Sequence, residues 1–440
     1  MVKYDVLVIG AGILGLSTAY HIRRGNPKAK ILILDKMSGP GQGNTARSAA
    51  MCRNFFSSET NFKLADSSIS FYKHLQQEEG VYLRMEKTGY LWLLDEEGWN
   101  RIEPFLGEMA ERDLRFELYD EEVLRARLNL RTRVSEDEEA QMIGLTDVEQ
   151  GLFVPDGFSI DPDYLVRFYK EGLKGAEFLF DTRVEEMIVE PDEPLELRYG
   201  ERLPNQPYYW QKTTPGVRTK NGKIKADTVV VAAGSWTSSL LTKLGVDTHA
   251  KPKTRQVFTM SAKTEELKEL LSTDTFINGM PFTILPKPET TLDQPTLYIK
   301  PNHKEGTFWI GYDPDFMAPF QPKEELEEEE RYHEECFEYV VSQVLRKYFP
   351  QFKRSRSTSC FSGQYVINTL DGQPVIFKEN DIIVVTGASG SGIMKADSIG
   401  RIAAAVFNDQ EYATLYGNRK FKVQSLDIED RRVEPERFII

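Results

Sequence analysis

Residues 4–35 constrain the fold more than any other stretch of the chain. Val6-Leu7-Val8-Ile9 is an apolar run suited to a parallel strand buried on both faces. It leads directly into Gly10-Ala11-Gly12-Ile13-Leu14-Gly15, a G-x-G-x-x-G turn. Residues 13–23 can form a helix, which Asn26-Pro27 ends, and Ile31-Leu32-Ile33-Leu34 is a second apolar run closing on Asp35. This order predicts a β-α-β unit. Gly10 allows the tight turn, Gly12 lets the backbone approach a pyrophosphate, and Gly15 permits close helix–strand packing. The helix N-terminus supplies N–H donors and positive potential, and Asp35 can accept hydrogen bonds from ribose hydroxyls. Ala11, Ile13 and Leu14 in the turn, with Lys36 beside Asp35, are expected at the same dinucleotide.

Charge and composition then exclude several classes. Fifty-five Lys and Arg against 68 Asp and Glu leave a net charge of −13, the wrong sign for a nucleic-acid binder. With 40% hydrophobic and 28% charged residues, the chain is globular rather than disordered. Its 440 residues correspond to roughly two or three domains at about 150 residues each. Three scattered cysteines, Cys52, Cys336 and Cys360, form no C-x-x-C pair and no disulfide framework, so a reducing cytoplasm is the expected compartment. The run at 6–16 contains three glycines and follows Asp5, unlike a signal peptide. No stretch approaches 18 uncharged apolar residues, so no transmembrane segment is expected; peripheral attachment to a membrane stays open.

Further along, Phe62, Ala65, Ile69, Tyr72 and Leu75 have the spacing of one buried helix face. Asp161-Pro162 opens a helix over 161–176, as an N-cap followed by proline in the first turn. Residues 191–223 predict a hairpin excursion, and 296–312 two strands around Lys304-Glu305-Gly306. The acidic run 324–330 predicts the start of a helix that turns amphipathic through Cys336, Val340, Val344 and Tyr348.

Two later segments repeat the strand-onto-glycine pattern. Val229-Val230-Val231-Ala232 runs onto Ala233-Gly234-Ser235-Trp236, and Val384-Val385-Thr386 runs onto Gly387 and then Gly390 and Gly392. A chain that returns three times to one site with glycine at the strand end suits a large flat cofactor needing close backbone approach. Together with the turn at residue 10, this favours FAD over a nicotinamide.

These segments, in order, resemble the D-amino-acid-oxidase-type flavoproteins, the group that includes sarcosine oxidases, glycine oxidase and dye-linked L-proline dehydrogenases. The resemblance spans nearly the whole chain. Gly43-Asn44-Thr45-Ala46-Arg47-Ser48-Ala49-Ala50-Met51-Cys52-Arg53-Asn54-Phe55-Phe56 is similar to the loop of sarcosine oxidase β subunits. Asp371-Gly372-Gln373-Pro374-Val375-Ile376 is similar to the family's D-G-x-P-x-I, and Gly390-Ser391-Gly392-Ile393-Met394-Lys395 to its G-x-G-[FI]-x-K.

The resemblance implies site roles. Arg53 binds a substrate carboxylate, Lys395 assists near the flavin, and Tyr298 and Tyr365 line the pocket. Asn44, Thr45, Ala46, Arg47 and Ser48 contact the cofactor, Val184 meets adenine through its backbone, and Ala233, Gly234, Trp236, Gly363, Gly390, Gly392, Ile393 and Met394 approach the flavin. In this sequence Gly363 holds the place of the cysteine that attaches flavin covalently in some members, so non-covalent FAD is implied, with Cys360 a small buried residue. Trp309 takes the place of a lysine over the flavin face, so the oxygen-activating charge is expected to be missing.

The implied fold is α/β, a doubly wound Rossmann-like FAD-binding domain with a second mixed-sheet substrate domain. Residues 1–88, 150–250 and 358–440 are expected in the first, and 89–149 and 251–357 in the second. The implied activity is oxidation of a small amino acid, L-proline first, at its C–N bond by an FAD-dependent dehydrogenase. A sarcosine, N-methyl or D-amino acid oxidase, or a flavin-bearing subunit of a larger complex, is the alternative. The expected partners are the amino acid and an electron acceptor, a quinone or carrier protein; a homo-oligomer stays open.

Overall fold

A computed structural model describes residues 4–193, 195, 199, 207–208, 210–287, 296–312, 333–429 and 431–436. The apolar runs become the centre of one sheet. Glu177–Leu179, Ile31–Leu34, Tyr4–Ile9, Gly222–Val231 and Ile382–Thr386 lie side by side in that order, all parallel. Val375–Glu379 adds an antiparallel edge strand. The first half of Gly222–Val231 also pairs with Thr213–Thr219, which pairs with Val184–Pro191, forming the expected hairpin excursion. The C-terminal ends of the parallel strands therefore converge on Gly10, Asp35, Ala233-Gly234 and Gly387, the edge at which open α/β sheets take their ligands.

Helices cover this sheet. The first, Ile13–Gly25, and the last, Gly392–Phe407, pack through small and polar residues whose bonds are satisfied on burial. Ser17 Oγ donates to the Ala396 carbonyl (2.7 Å), and His21 Nε2 meets the buried Asp397 carboxylate (2.8 Å), which also accepts from Arg401 Nε (2.6 Å). The second helix, Glu59–Gln77, is capped by Ser58, whose side chain accepts from Asn61 N, and meets the last helix through Ser68 and Ser398.

A second eight-stranded sheet stands against the first. Its order is Ser359–Asn368, Ala250–Ser261, Thr307–Tyr312, Tyr298–Asn302, Phe282–Ile284, Tyr90–Leu94, Gln150–Val154, Glu117–Tyr119. All pairs are antiparallel except Phe282–Ile284 with Tyr90–Leu94. Gln150–Val154 and Ser359–Asn368 thus lie in this sheet, although 150–250 and 358–440 were expected with the cofactor-binding segments. Alternation along Tyr90–Leu94 separates two cores, with Leu91 and Leu93 on one face and Tyr90, Trp92 and Leu94 on the other.

Two further expectations change. The acidic run 324–330 lies outside the described residues. After it, the buried face is Phe337, Val341, Leu345 and Tyr348, not Cys336, Val340 and Val344. The helix contains a π-helical turn over Phe337–Val341. Cys360 is half-buried rather than buried.

Candidate active site

The cofactor cradle is built chiefly from backbone. Gly10 has φ +105°, and a Cβ on it would stand 2.3 Å from the Ala232 carbonyl oxygen. Only glycine fits there. Asp35 accepts from Ala11 N (2.7 Å) and Met37 N (2.8 Å), so the acid at the end of the second strand braces the turn. Gly12 caps the first helix without a side-chain acceptor, and Thr45 Oγ1 supplies one instead, accepting from Ile13 N at 3.1 Å. Leu14 and Gly15 continue that helix. Lys36 Nζ lies 3.3 Å from the centre of the Trp236 ring, closing one side of the edge. Thr182 N donates to the Asp35 carbonyl, which brings the strand beginning at Val184 beside it.

The loop 43–50 crosses to the second sheet. Asn44 Nδ2 donates to Ser235 Oγ (3.2 Å), and Asn44 Oδ1 accepts from Gln364 N (2.8 Å). Arg47 Nη1 donates to the Ser362 carbonyl. A Cβ on Gly363 would lie 3.3 Å from Arg47 Cβ, so the place of the covalent cysteine is tight against this loop. The cradle is a concave strip of backbone donors at a helix N-terminus, flanked by positions that no larger residue could fill. Those features fit a dinucleotide pyrophosphate and flavin.

Beyond the loop lies a small open cavity of about 60 Å³. Ser48, Arg53, Tyr298, Tyr365, Gly390, Ile393, Met394 and Lys395 all line it, so four of the five residues assigned catalytic roles come together there. Gly392 opens the helix carrying Lys395, and Ala233 and Gly234 stay on the cradle side. Gly390, with φ +78°, lets the chain pass under the Tyr365 ring, which a Cβ would meet at 2.5 Å. Ala50 and Ser389, neither of them glycine, also have positive φ, and both lie in the cavity neighbourhood. Backbone strain of this kind collects at binding sites.

Arg53 is 4% exposed, and its guanidinium stands over the rings of Phe56 (4.0 Å), Trp92 (5.2 Å) and Tyr90 (5.7 Å). Burial lowers its pKa, opposed by Tyr90 and Glu436. Lys395, 1% exposed, donates to Asn61 Oδ1 (2.5 Å) and Ser391 Oγ (2.6 Å) and faces the Phe56 ring at 4.6 Å. Desolvation brings its pKa down to about 7; Glu436 pushes it up and Arg53 down. Burial raises the Tyr298 hydroxyl well above its ordinary range, so it stays a neutral hydrogen-bonding group. The cavity is a cationic, aromatic-walled recess suited to a small carboxylate.

Trp309 is not in this cavity. It lines a second one with Ala46, Ser48, Ala50, Arg84 and Lys300, on the other side of the strip formed by Ser48 and Ala50. A buried lysine stands beside Trp309. Lys300, directly across the strand pair from Trp309, places Nζ 4.5 Å from the indole centre and donates to the Ala49 carbonyl (2.8 Å). Burial lowers its pKa to about 8.

Sequence reasoning missed Asn61, Tyr90, Lys300 and Glu436. Only Lys300 carried a local signal, since it lies two residues after Tyr298 on the same strand face.

Comparison with known proteins gives a consistent result. The model of the FAD dependent oxidoreductase (DAO) family matches residues 5–406. FAD-dependent oxidoreductase domain-containing protein 1 of Xenopus laevis is 22% identical over 94% of this chain and 81% of its own length. Monomeric sarcosine oxidase of Bacillus sp. is 25% identical over 57% of this chain and 56% of that one. Among solved structures, L-proline dehydrogenase from P. horikoshii superposes with a TM-score of 0.68 at 21% identity, covering 97% of this chain and 96% of the other. Among the described residues no helix is long and apolar enough to cross a membrane.

Proposed function

The chain belongs to the DAO family of FAD-dependent oxidoreductases, and from that premise we propose that it oxidises the C–N bond of a small amino acid, with L-proline the leading candidate. The observation that carries this reading is the convergence of Arg53 and Lys395 with Tyr298 and Tyr365 on one cavity beside the cradle. A buried guanidinium, with a buried lysine that titrates near pH 7, suits a carboxylate bearing an adjacent amine. FAD held in the cradle would supply the two-electron, hydride-accepting chemistry that this oxidation needs. Arg53 and Lys395 would bind the carboxylate, and the two tyrosines would confine the carbon skeleton and present hydroxyls to its polar edge.

No histidine lines the cavity among the described residues, and the Glu436 carboxylate there is engaged by Ser57, Ser58 and Asn61. If the amine binds neutral, no side-chain base is required. The proton released as the imine forms leaves to solvent. FAD would be held without a covalent bond, because glycine stands at 363 and Cys360 is three residues away. Intact FAD released into the supernatant on acid precipitation supports this; flavin retained in the pellet contradicts it. A cytoplasmic location suits the three free cysteines.

Lys300 favours a second reading. Because a buried lysine abuts Trp309, an oxidase for sarcosine or another N-methyl or D-amino acid competes with a dehydrogenase that uses a quinone or carrier protein. Anaerobic mixing with L-proline, sarcosine, glycine and D-alanine identifies the substrate by which one bleaches the flavin. Air then separates the readings, since rapid reoxidation with peroxide marks an oxidase. If none of the amino acids bleaches the flavin, the amino-acid reading fails and a flavin-bearing subunit takes its place.

A further inference from the structure

Glu436 comes to the cavity from far along the chain. It is 7% exposed and lies in 431–436, a segment without helix or strand. One carboxylate oxygen accepts from Ser57 N (2.9 Å) and Ser57 Oγ (2.8 Å). The other accepts from Ser58 N (3.1 Å), Ser58 Oγ (3.0 Å) and Asn61 Nδ2 (3.2 Å). An anion is favoured there because these groups open the 19-residue second helix, where N–H groups and the macrodipole converge. The Asn61 amide is thereby fixed. With Nδ2 committed to Glu436, Oδ1 points to Lys395 Nζ.

The same segment is clamped at a second point. Arg431 pairs with Asp371 at 2.5 and 3.0 Å, both side chains nearly fully buried, and Gln373 Nε2 donates to the Glu434 carbonyl at 2.6 Å. Asp371 and Gln373 belong to the D-G-x-P segment, and Gly372 between them lines the cavity. Residues 431–436 thus run as a strap from that segment to the start of the second helix, where Glu436 forms part of the cavity wall.

We propose that Glu436 is a positioning residue of the carboxylate site, holding the Lys395 side chain aimed into the cavity through Asn61. The proposal rests on the carboxylate reading of the cavity given above. The groups facing Lys395 are Arg53 from the cofactor loop, Glu436 from the strap, and Tyr90, Tyr298 and Tyr365 from the second sheet. Burial pushes Tyr90 and Tyr298 above the ordinary tyrosine range, so both stay neutral across the range tested. Arg53 opposes the Lys395 charge and Glu436 supports it. Removing the Glu436 charge therefore lowers the pH at which Lys395 discharges.

The test is binding of pyrrole-2-carboxylate to the flavin-loaded protein, followed by calorimetry from pH 5.5 to 9.5. This probe has no amine to titrate, so the profile reports the protein. Wild type should bind tightly at low pH and weaken as Lys395 loses its proton. E436Q should move that midpoint down by about one pH unit, the low end for an opposite charge nearby, weakening binding above the wild-type midpoint about tenfold. N61A, which cuts the relay and leaves Glu436 in place, should shift it in the same direction and carries the test if E436Q loses its flavin. A wild-type midpoint in both, or a uniform loss at every pH, overturns the proposal. R53M and K395M separate the two levels. If either binds the probe like wild type, the carboxylate reading itself fails; if both lose it while E436Q keeps the wild-type profile, only the role of Glu436 falls.

Discussion

The cofactor cradle and the cavity proposed to take the substrate share the 43–50 loop but are made of different material. The cradle is a backbone object, with its shape set by Gly10 in a conformation closed to other residues, by strand ends, and by amide groups at the start of the first helix. The cavity is a side-chain object. Arg53, Lys395, Tyr298 and Tyr365 reach it from a loop, a helix and two strands, and Glu436 from a strap nearly four hundred residues after Arg53. A backbone site tolerates almost no substitution at its turn. A side-chain site can lose a member and keep its shape, so its defects should appear in ligand affinity rather than in folding.

The largest effect expected from this contrast is at Gly10. In Gly10→Ala the new methyl meets the Ala232 carbonyl oxygen, and alanine must adopt φ +105°. Strain and overpacking together cost about 3 kcal/mol or more. The purified variant should carry little or no flavin and melt well below wild type. A normal ratio of flavin to protein absorbance would break the claim that backbone geometry makes the cradle.

Arg53→Met tests the other half. The longer polar head is lost but the apolar stem still fills the space between Phe56 and Trp92, so flavin content should stay near wild type. Affinity for the bleaching amino acid should fall by about 2–4 kcal/mol, the range for losing one partner of a desolvated charge pair. An unchanged half-saturating concentration would remove Arg53 from the carboxylate site. Loss of flavin instead would show that the cavity also supports the cradle, and the contrast would dissolve.

This division also explains what the sequence revealed. The β-α-β turn was legible because its signal is local, with glycines at fixed spacing between two apolar runs and an acid at the second run's end. Strands such as 229–231 and 382–386 were legible because burial on both faces leaves an uninterrupted apolar run. Arg53, Tyr298, Tyr365 and Lys395 were reached by resemblance rather than by periodicity, since nothing local marks a buried arginine as facing a cavity. Glu436 and Asn61 left no trace, because their meeting depends on two segments 375 residues apart packing together. In the 333–348 helix Tyr348 is buried as expected, while the face before it lies one position further on, at Phe337, Val341 and Leu345.

Lys300 gives a smaller prediction at the boundary between the two regions. With its pKa near 8 it is mostly charged at pH 7 and loses that charge as pH rises through 8. If the second cavity reaches the flavin, reoxidation by oxygen should slow above pH 8, and Lys300→Met should slow it about tenfold at pH 7. That is well under the roughly 4 kcal/mol available to a full charge at about 4 Å in a medium of dielectric near 20, since the lysine already shares its charge with the Ala49 carbonyl. Stopped-flow reoxidation measures both. Equal rates in wild type and variant, flat across pH, would disconnect Lys300 from the flavin and favour a non-oxygen acceptor.

The smallest expected effect is at Thr45, where a side chain completes the backbone cradle. The first helix begins at Gly12, which offers no side-chain cap, and Thr45 Oγ1 accepts the Ile13 N–H from a distant loop. Thr45→Val keeps the volume and removes the acceptor, leaving a buried helix N–H without its partner. Losses of an N-cap acceptor cost about 1 kcal/mol. In a chain of this size that should lower the melting temperature by about 2 °C or less, since larger proteins respond less per unit of free energy. Thr45→Ser restores the oxygen and should recover most of the loss. Flavin raises stability in proportion to how much more tightly it binds the folded form, so the deficit should persist in flavin-free protein and widen with flavin present if Thr45 also sets the helix end for the cofactor. A deficit that vanishes on adding FAD would mean that the cofactor replaces Thr45 as the cap. A deficit of equal size with and without FAD would confine Thr45 to holding the loop.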